Sequence, residues 1–537
     1  MKIFKSIIVT TLLLAVSIGC KSQQVTESDS KQEVNKNTGE KKNILFIAVD
    51  DLKPLLSNYG ETQMHTPNFD RLADMGMTFT NAHVQQAVCG PSRASVMTAT
   101  YPDNTKVWDL HTDFRESAPE LVSMPEYLIS QGYESTGTGK IYHQPSAAPG
   151  HDAKTWSIPH DTAKDFNSSY GSPALGFYQD PESKRLIEKY TKEAKDKGKK
   201  KFGQIRKYVM SRHKPSTEDY DIEDEAYNEG MYTKIALRKL EELESTNKPW
   251  FLAVGYQKPH LPFVAPKKYW DLYKRDDIKL AEFQELSEGT PSFAYHSFGE
   301  LRSYTDIDSN LKIGDRIAED KQRELIHGYM ACVSYVDAQL GVLLDALEEK
   351  GELENTVIVL WGDHGFHLGD HTEWCKHSNF EQATRIPFMF AGPGVAKNQK
   401  SHHPVDLVDL FPTVFDLAGV PNHEQVDGIS LKPLLDDNIK TSVDKDYAIS
   451  QYPRHGKRMG YSLRTDRYRY TEWHNNGYKS FKPYSFENIE ARELYDYEKD
   501  PLETRNLVND PKYKSVADQL NLKLKMHLEK QYSSLNK

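Results

Sequence analysis

Residues 43–49, Asn-Ile-Leu-Phe-Ile-Ala-Val, form a nearly unbroken apolar run, the pattern of a strand buried on both faces of a parallel sheet. Shorter runs of the same kind recur at 250–255, 357–361 and 388–391, and 133–138 carries a fainter strand pattern. Helical stretches separate them. The clearest covers 329–349, where Val333, Val336, Leu340, Leu343, Leu344 and Leu347 share one stripe at helical spacing and Gly351 ends it. That stripe reads as core packing. Strands alternating with helices predict an α/β fold with a central, mostly parallel sheet.

Past Pro421 the pattern changes. Residues 461–473 read as a hairpin with Thr465-Asp466 at its turn, and an amphipathic helix from about 515 to 529 closes the chain. Residues 43–425 are therefore expected to form the main body, and 426–537 a smaller α+β unit with an antiparallel sheet. Residues 184–214 are rich in Lys and Arg and poor in apolar residues. They read as a solvated helical insertion, with a surface that guides polyanions as the second reading.

The first twenty residues read as an address. Lys2 and Lys5 precede an apolar stretch, 7–16, too short to span a membrane, followed by Ser17-Ile18-Gly19-Cys20. That ending resembles a bacterial lipobox, which implies lipidation of Cys20. Residues 21–42 are polar and read as a flexible tether. The expected product is an exported outer-membrane lipoprotein, periplasmic or surface-facing, that touches the membrane through its lipid anchor only. No other run reaches the length a spanning helix needs.

Composition narrows the classes. The 537 residues are 38% hydrophobic and 11% aromatic, which suits a globular chain. A net charge of −10 argues against a globally basic nucleic-acid binder. Four cysteines exclude a disulfide scaffold. With Cys20 lipidated, Cys89, Cys332 and Cys375 are an odd number, so at least one is unpaired; Cys332 and Cys375 read as free and buried.

Ionisable residues follow the predicted strands. Asp50 and Asp51 follow the first, Gly139-Lys140-Ile141-Tyr142-His143 the second, Lys258-Pro259-His260 the third, and Gly362-Asp363-His364-Gly365 the fourth. Loops leaving the carboxyl ends of parallel strands share one edge, where ligands bind. Two Lys, three His and three Asp are thus expected to converge. Carboxylates from two strand ends suggest a hard divalent ion, calcium or magnesium rather than zinc. Cys89 precedes Pro91 and a helix start expected at Ser92. A helix N-terminus beside Arg93 favours an anion and would lower a thiol pKa. His111, His367, His371 and His377 lie near these loops, and Asp113 and Arg115 are weaker candidates for sugar contact.

Cys89-Gly90-Pro91-Ser92-Arg93, with Asp50-Asp51 upstream and Gly362-Asp363-His364-Gly365 downstream, resembles the signature of type I sulfatases. The resemblance runs from about residue 43 to 493–501. Segments 139–143, 258–263, 329–337 and 374–380 look like the iduronate-2-sulfatase branch, with Cys375 standing where that branch has a small residue. The resemblance implies an alkaline-phosphatase-like sheet flanked by helices. It also implies oxidation of Cys89 to formylglycine by a maturation enzyme, and one calcium ion held by Asp50, Asp51, Cys89, Asp363 and His364. By the same carry-over, the hydrated aldehyde attacks sulfur and later collapses to release sulfate. Arg93 holds the hydrate, Lys140 and Lys376 bind sulfate oxygens, His143 is the base for collapse, and His260 is the acid for the leaving oxygen.

The implied substrate is a sulfated, uronic-acid-containing polysaccharide of ulvan or glycosaminoglycan type, cut from a chain end, with 2-O-sulfated iduronate as the branch's own sugar. Three alternatives stay open: a phosphonate or phosphate ester hydrolase on the same scaffold, a glycan-binding lipoprotein with a dead site, and a thiol enzyme using Cys89 directly.

Overall fold

A computed structural model describes residues 41–146, 153–436, 443–480 and 482–535. Cys20, the leader and nearly all of the tether lie outside the described residues.

The central sheet has eight strands: β1 Asn43–Val49, β2 Gly76–His83, β3 Glu134–Gly139, β4 Trp250–Tyr256, β5 Thr356–Gly362, β6 Arg385–Ala391, β7 Gln399–Ser401 and β8 Val405–Asp406. Their order is β7-β2-β6-β5-β1-β4-β3, with β8 also paired to β2. All pairings are parallel except those of β6, which runs against both β2 and β5. The mostly parallel sheet expected from the apolar runs is present. The run at 388–391 is its one reversed strand, and β2, whose alternating sequence hides it, was not among the runs.

Side-chain alternation divides the core. Leu45, Ile47 and Val49 of β1 join one apolar cluster, while Ile44, Phe46 and Ala48 join another on the opposite face. The first cluster is covered by helices α1 Pro67–Asp74, α5 Asn228–Glu244 and α6 Glu319–Glu349. The second is covered by α2 Cys89–Thr98 and α7 Leu410–Ala418. A strand covered on both faces cannot alternate polar with apolar, hence the unbroken run.

Helix α6 starts ten residues before the 329–349 stretch that predicts it, and the whole apolar stripe is buried. By length and composition α6 could cross a membrane, contrary to the expectation that no further run would qualify. However, 78% of its apolar window is buried inside the protein, so its apolarity is spent on the core.

The α1–α6 contact shows how tightly these layers fit. Asp337 of α6 accepts bonds from the backbone N–H groups of Asn68 (2.9 Å) and Phe69 (2.8 Å) and from Asn68 Nδ2 (3.0 Å). Thr66, at the N-cap of α1, makes no side-chain capping bond, so Asp337 caps that helix from another element. Gly341 permits the approach, since a Cβ there would lie 2.6 Å from Asn68 Oδ1.

The later residues form a four-stranded antiparallel sheet, β9 Ala448–Arg454, β10 Arg458–Arg464, β11 Tyr468–Asn475 and β12 Ile489–Asp496, packed under the helix α8 Lys514–Leu535. The expected hairpin turn is there: Thr465 N donates to Tyr468 O (2.8 Å). The basic stretch is helical too, as α3 Pro181–Asp196 and α4 Phe202–Met210.

Replacing Asp337 by Ala leaves one buried and one half-buried backbone donor unpaired and should cost about 2–3 kcal/mol of stability. A urea-unfolding midpoint unchanged from wild type would refute the capping role.

Candidate active site

Register builds the floor of the site. Val49 pairs with both Tyr256 and Gly362, and Gly139 pairs with Gly255, so β1, β3, β4 and β5 end level. The ladder continues one step further: Asp50 N donates to Tyr256 O (3.1 Å), Asp363 N to Val49 O (3.1 Å) and Lys140 N to Gly255 O (2.8 Å). Neighbouring strands lie about 4.8 Å apart, so their next residues meet side by side. Gly255 is obligatory here, since a Cβ would fall 2.1 Å from Lys140 O.

Cys89 comes from a fifth strand end. The chain leaves β2 at His83 and enters α2 at Cys89 itself, three residues earlier than expected from the sequence. Cys89 Sγ lies 3.2 Å from His364 Nε2. One turn on, Arg93 is fully buried, and its Nε donates to Asp363 Oδ2 (2.8 Å) and an Nη to Asp50 Oδ1 (3.2 Å). Another guanidinium nitrogen donates to the Ile141 carbonyl (3.0 Å), tying α2 to the β3 loop. Lys140 Nζ reaches Asp50 Oδ2 (2.5 Å). Burial alone would raise the Asp50 carboxyl, but Lys140 and then Arg93 hold it well below the usual range. Asp363 is pushed up by burial despite Arg93.

The other half of the site depends on a segment between β5 and β6. Lys376 Nζ is buried and donates to Asp51 Oδ2 (2.9 Å) and Oδ1 (3.1 Å). It also pairs with Glu300 (2.9 Å). The other Glu300 oxygen lies 3.1 Å from His260 Nε2, while His260 Nδ1 faces the Leu261 carbonyl (2.6 Å). Glu300 is held well below the carboxylate range, against the effect of burial, by Lys376 and His260. Left-handed backbone occurs at Asp51 (φ 62°), Cys375 (φ 72°) and His377 (φ 76°), beside or within the residues that aim these groups. Strain at φ 72° offers a reason why a small residue suits position 375.

The eight groups expected to converge do so with one exception. Lys258 turns its ammonium into its own loop, donating to the carbonyls of His260 (2.6 Å) and Pro262 (2.8 Å). It shapes the loop that carries His260. His143 sits half-exposed at the rim, its Nδ1 facing the Gln144 carbonyl (2.6 Å); burial and Lys140 lower its pKa to about 4, leaving Nε2 free to accept a proton.

Several weaker candidates fall elsewhere. Asp113 is buried and caps a short helix, and Arg115 pairs with Glu126 (2.7 Å). His111 is exposed, and His367 and His371 are buried, the former against Ser378 and the latter against Ser287. His377 does join the rim, bonded to Tyr452 (2.7 Å) and 3.8 Å from Glu300. Glu300 itself was missed. It lies in an irregular stretch where no apolar run precedes it, so only tertiary contact reveals it.

The expected reactive thiol is also corrected. Burial first, and Asp50 second, push the Cys89 thiol well above its ordinary range, and Arg93 is already committed to carboxylates. This disfavours a thiol enzyme acting through Cys89.

The donor set fits a divalent metal ion. Asp50, Cys89, Asp363 and His364 present ligand atoms within 4.8 Å of one another, and so do Asp50, Asp51, Cys89 and His260. Together these clusters contain all five predicted ligands. Three crowded, buried carboxylates are what a hard cation relieves.

The sulfatase family model matches residues 42–420, and the model for the C-terminal region of N-sulphoglucosamine sulphohydrolase matches 369–531. The chain is 32% identical to iduronate 2-sulfatase of Mus musculus over 542 residues, covering 89% of this chain and 93% of the relative. Among solved structures, a protein in complex with its substrate D-glucosamine-2-N,6-O-disulfate aligns with a TM-score of 0.67 at 22% identity, covering 92% of this chain and 99% of that one. The phosphonate monoester hydrolase of Agrobacterium radiobacter aligns with a TM-score of 0.63 at 21% identity, covering 91% and 96%. At these identities the structural likeness establishes a fold shared by both chemistries.

Unmodified, metal-free protein should resist iodoacetamide at Cys89 at pH 8, because a thiol raised above its ordinary range holds little thiolate there, and should react once unfolded. Rapid native-state alkylation at Cys89 would refute the described electrostatics.

Proposed function

This chain belongs to the sulfatase family and is a sulfuric ester hydrolase, and from that premise we propose that it is an exo-acting carbohydrate sulfatase. The observation that carries this reading is Cys89 at the head of α2, facing Asp50, Asp51, Asp363 and His364 beneath a rim of Lys140, His143 and His260. The mouse relative is by name an iduronate 2-sulfatase, which favours a 2-O-sulfated uronic acid, and the proposed source is a polysaccharide of ulvan or glycosaminoglycan type.

In this reading Asp50, Asp51, Asp363 and His364 would hold calcium, with the converted Cys89 beside it. Calcium would polarise a sulfate oxygen, and formylglycine made from Cys89 by a maturation enzyme would supply the hydrated nucleophile.

The chain's own groups divide the remaining work. Lys140 and Lys376 bind the sulfate oxygens, each held in place by an aspartate that also keeps it charged. Arg93, expected to hold the hydrate, is locked by four protein acceptors, so in this reading it fixes the floor beside Cys89. His143 takes a proton at Nε2, being neutral above about pH 5 because its pKa is near 4. His260 donates from Nε2 to the leaving sugar oxygen, which requires that atom to turn from Glu300 to the substrate. We also propose export as an outer-membrane lipoprotein anchored at Cys20, which would meet such polymers outside the cytoplasm.

The test pairs peptide mass across Cys89, in protein made with a maturation enzyme, with sulfate release from defined sulfated oligosaccharides. Expected are conversion, sulfate release, loss of release in Cys89→Ala and loss with a calcium chelator. Faster cleavage of aryl phosphate than aryl sulfate would move the reading to a phosphoester hydrolase.

Glu300→Gln should lower kcat on a sugar sulfate by about tenfold or more, since it frees Lys376 and His260 from a shared anchor. The loss should be smaller on 4-nitrophenyl sulfate, whose leaving group needs no proton. Equal losses on both substrates would refute the link to His260.

A further inference from the structure

The α3–α4 insertion is used by nothing described so far. Residues 184–214 hold thirteen Lys and Arg against three acids, in a chain whose net charge is −10. Lys192, Lys195, Lys200, Lys201 and Lys207 are exposed, and no ion pair engages them among the described residues. Between the two helices, at the start of α4, Phe202 is 77% exposed, directly after Lys199-Lys200-Lys201. The Phe202 ring is thus open to a ligand beside ammonium groups that no acid among the described residues engages.

Both ends of the insertion are anchored to loops that carry candidate site residues. Before α3, the Phe177 ring lies 5.5 Å from the ammonium of Lys258, which shapes the His260 loop. After α4, Lys214 Nζ donates to Ser303 Oγ (2.6 Å) and lies 3.8 Å from the Tyr304 ring centre. Ser303 ends the short turn that begins at Leu301, next to Glu300. Hence the basic helices project from the two loops that carry His260 and Glu300. Helix α3 alone, at 16 residues, is about 24 Å long, the span of several sugar rings.

We propose that the α3–α4 hairpin is a docking surface for the sulfated sugars that flank the one being cleaved, so that the enzyme holds a polyanionic glycan chain beyond its catalytic pocket. This rests on the carbohydrate-sulfatase reading above. The lysines attract the sulfates, and Phe202 offers a ring for the apolar face of a sugar. Location favours glycan over membrane as the occupant, because both ends of the hairpin are anchored to the loops that carry His260 and Glu300. Positive fields of this kind raise association rates and are screened by salt.

The test compares a sulfated polysaccharide with 4-nitrophenyl sulfate, using matured full-length protein in 50 and 300 mM NaCl. Wild-type kcat/KM on the polymer should fall about tenfold across that range, while the small ester changes less than about twofold. A variant carrying Lys192→Glu, Lys195→Glu, Lys200→Glu and Lys201→Glu should lose about tenfold on the polymer at low salt, lose most of the salt dependence, and keep the small-ester rate. Phe202→Ala, which leaves the charge intact, should weaken polymer binding without flattening the salt response. Equal behaviour of the four-Glu variant and wild type on the polymer would overturn the proposal. So would wild-type binding to phosphatidylglycerol vesicles without binding to dextran sulfate. If wild type releases no sulfate from any ester, the carbohydrate-sulfatase reading fails. Retention of dextran sulfate by wild type and its loss in the four-Glu variant would then uphold the surface independently, and no retention would overturn it.

Discussion

Asp50 sits beneath two cations, Arg93 and Lys140, at a point fixed by the register of four parallel strands. Everything else in the site is arranged around that buried cluster. Four carboxylates, those of Asp50, Asp51, Asp363 and Glu300, face three fixed cations, Arg93, Lys140 and Lys376. Burying so much charge seldom adds stability, because desolvation offsets attraction. The apolar clusters on both faces of the sheet therefore have to supply the stability on which this arrangement depends.

Depth divides the labour. Arg93, Asp363, His364 and Lys376 are buried and locked by short bonds, so they form a rigid floor. His143, His260 and Glu300 are partly exposed at the rim, where a substrate can reach them. The floor aligns charge in advance, which is the main way a protein lowers the barrier for an anionic reaction. The rim holds the two histidines proposed to move protons, and burial with Lys140 keeps His143 neutral above about pH 5.

Two further features show packing and function sharing the same residues. The α6 helix is apolar enough to suggest a membrane, yet it carries Asp337 as the cap of α1 and Tyr329, whose hydroxyl donates to the Asp51 carbonyl (2.7 Å). The loop after β4 uses Lys258 to brace itself so that His260 can face Glu300. Removing either support would disturb the site without touching a reacting group.

The strands, the long helix, the late hairpin and most site residues were legible in the sequence, because hydrophobic period and strand-end loops are local signals. Asp50, Asp51, Asp363 and His364 each follow an apolar run, Lys140 follows a fainter strand pattern, and Cys89 stands in a short, specific motif. Glu300 had no such signal, and Lys258 had the right signal with a different use. The Cys89 thiol pKa ran opposite to the local expectation, because burial and Asp50 outweigh a helix N-terminus. The sequence by itself determined which residue types reach the sheet edge, since strand period and loop position are written along the chain. Only the tertiary structure decided which of them meet, at what depth and with which partners, because burial and Coulomb energy depend on distances between residues as far apart as Asp51 and Lys376.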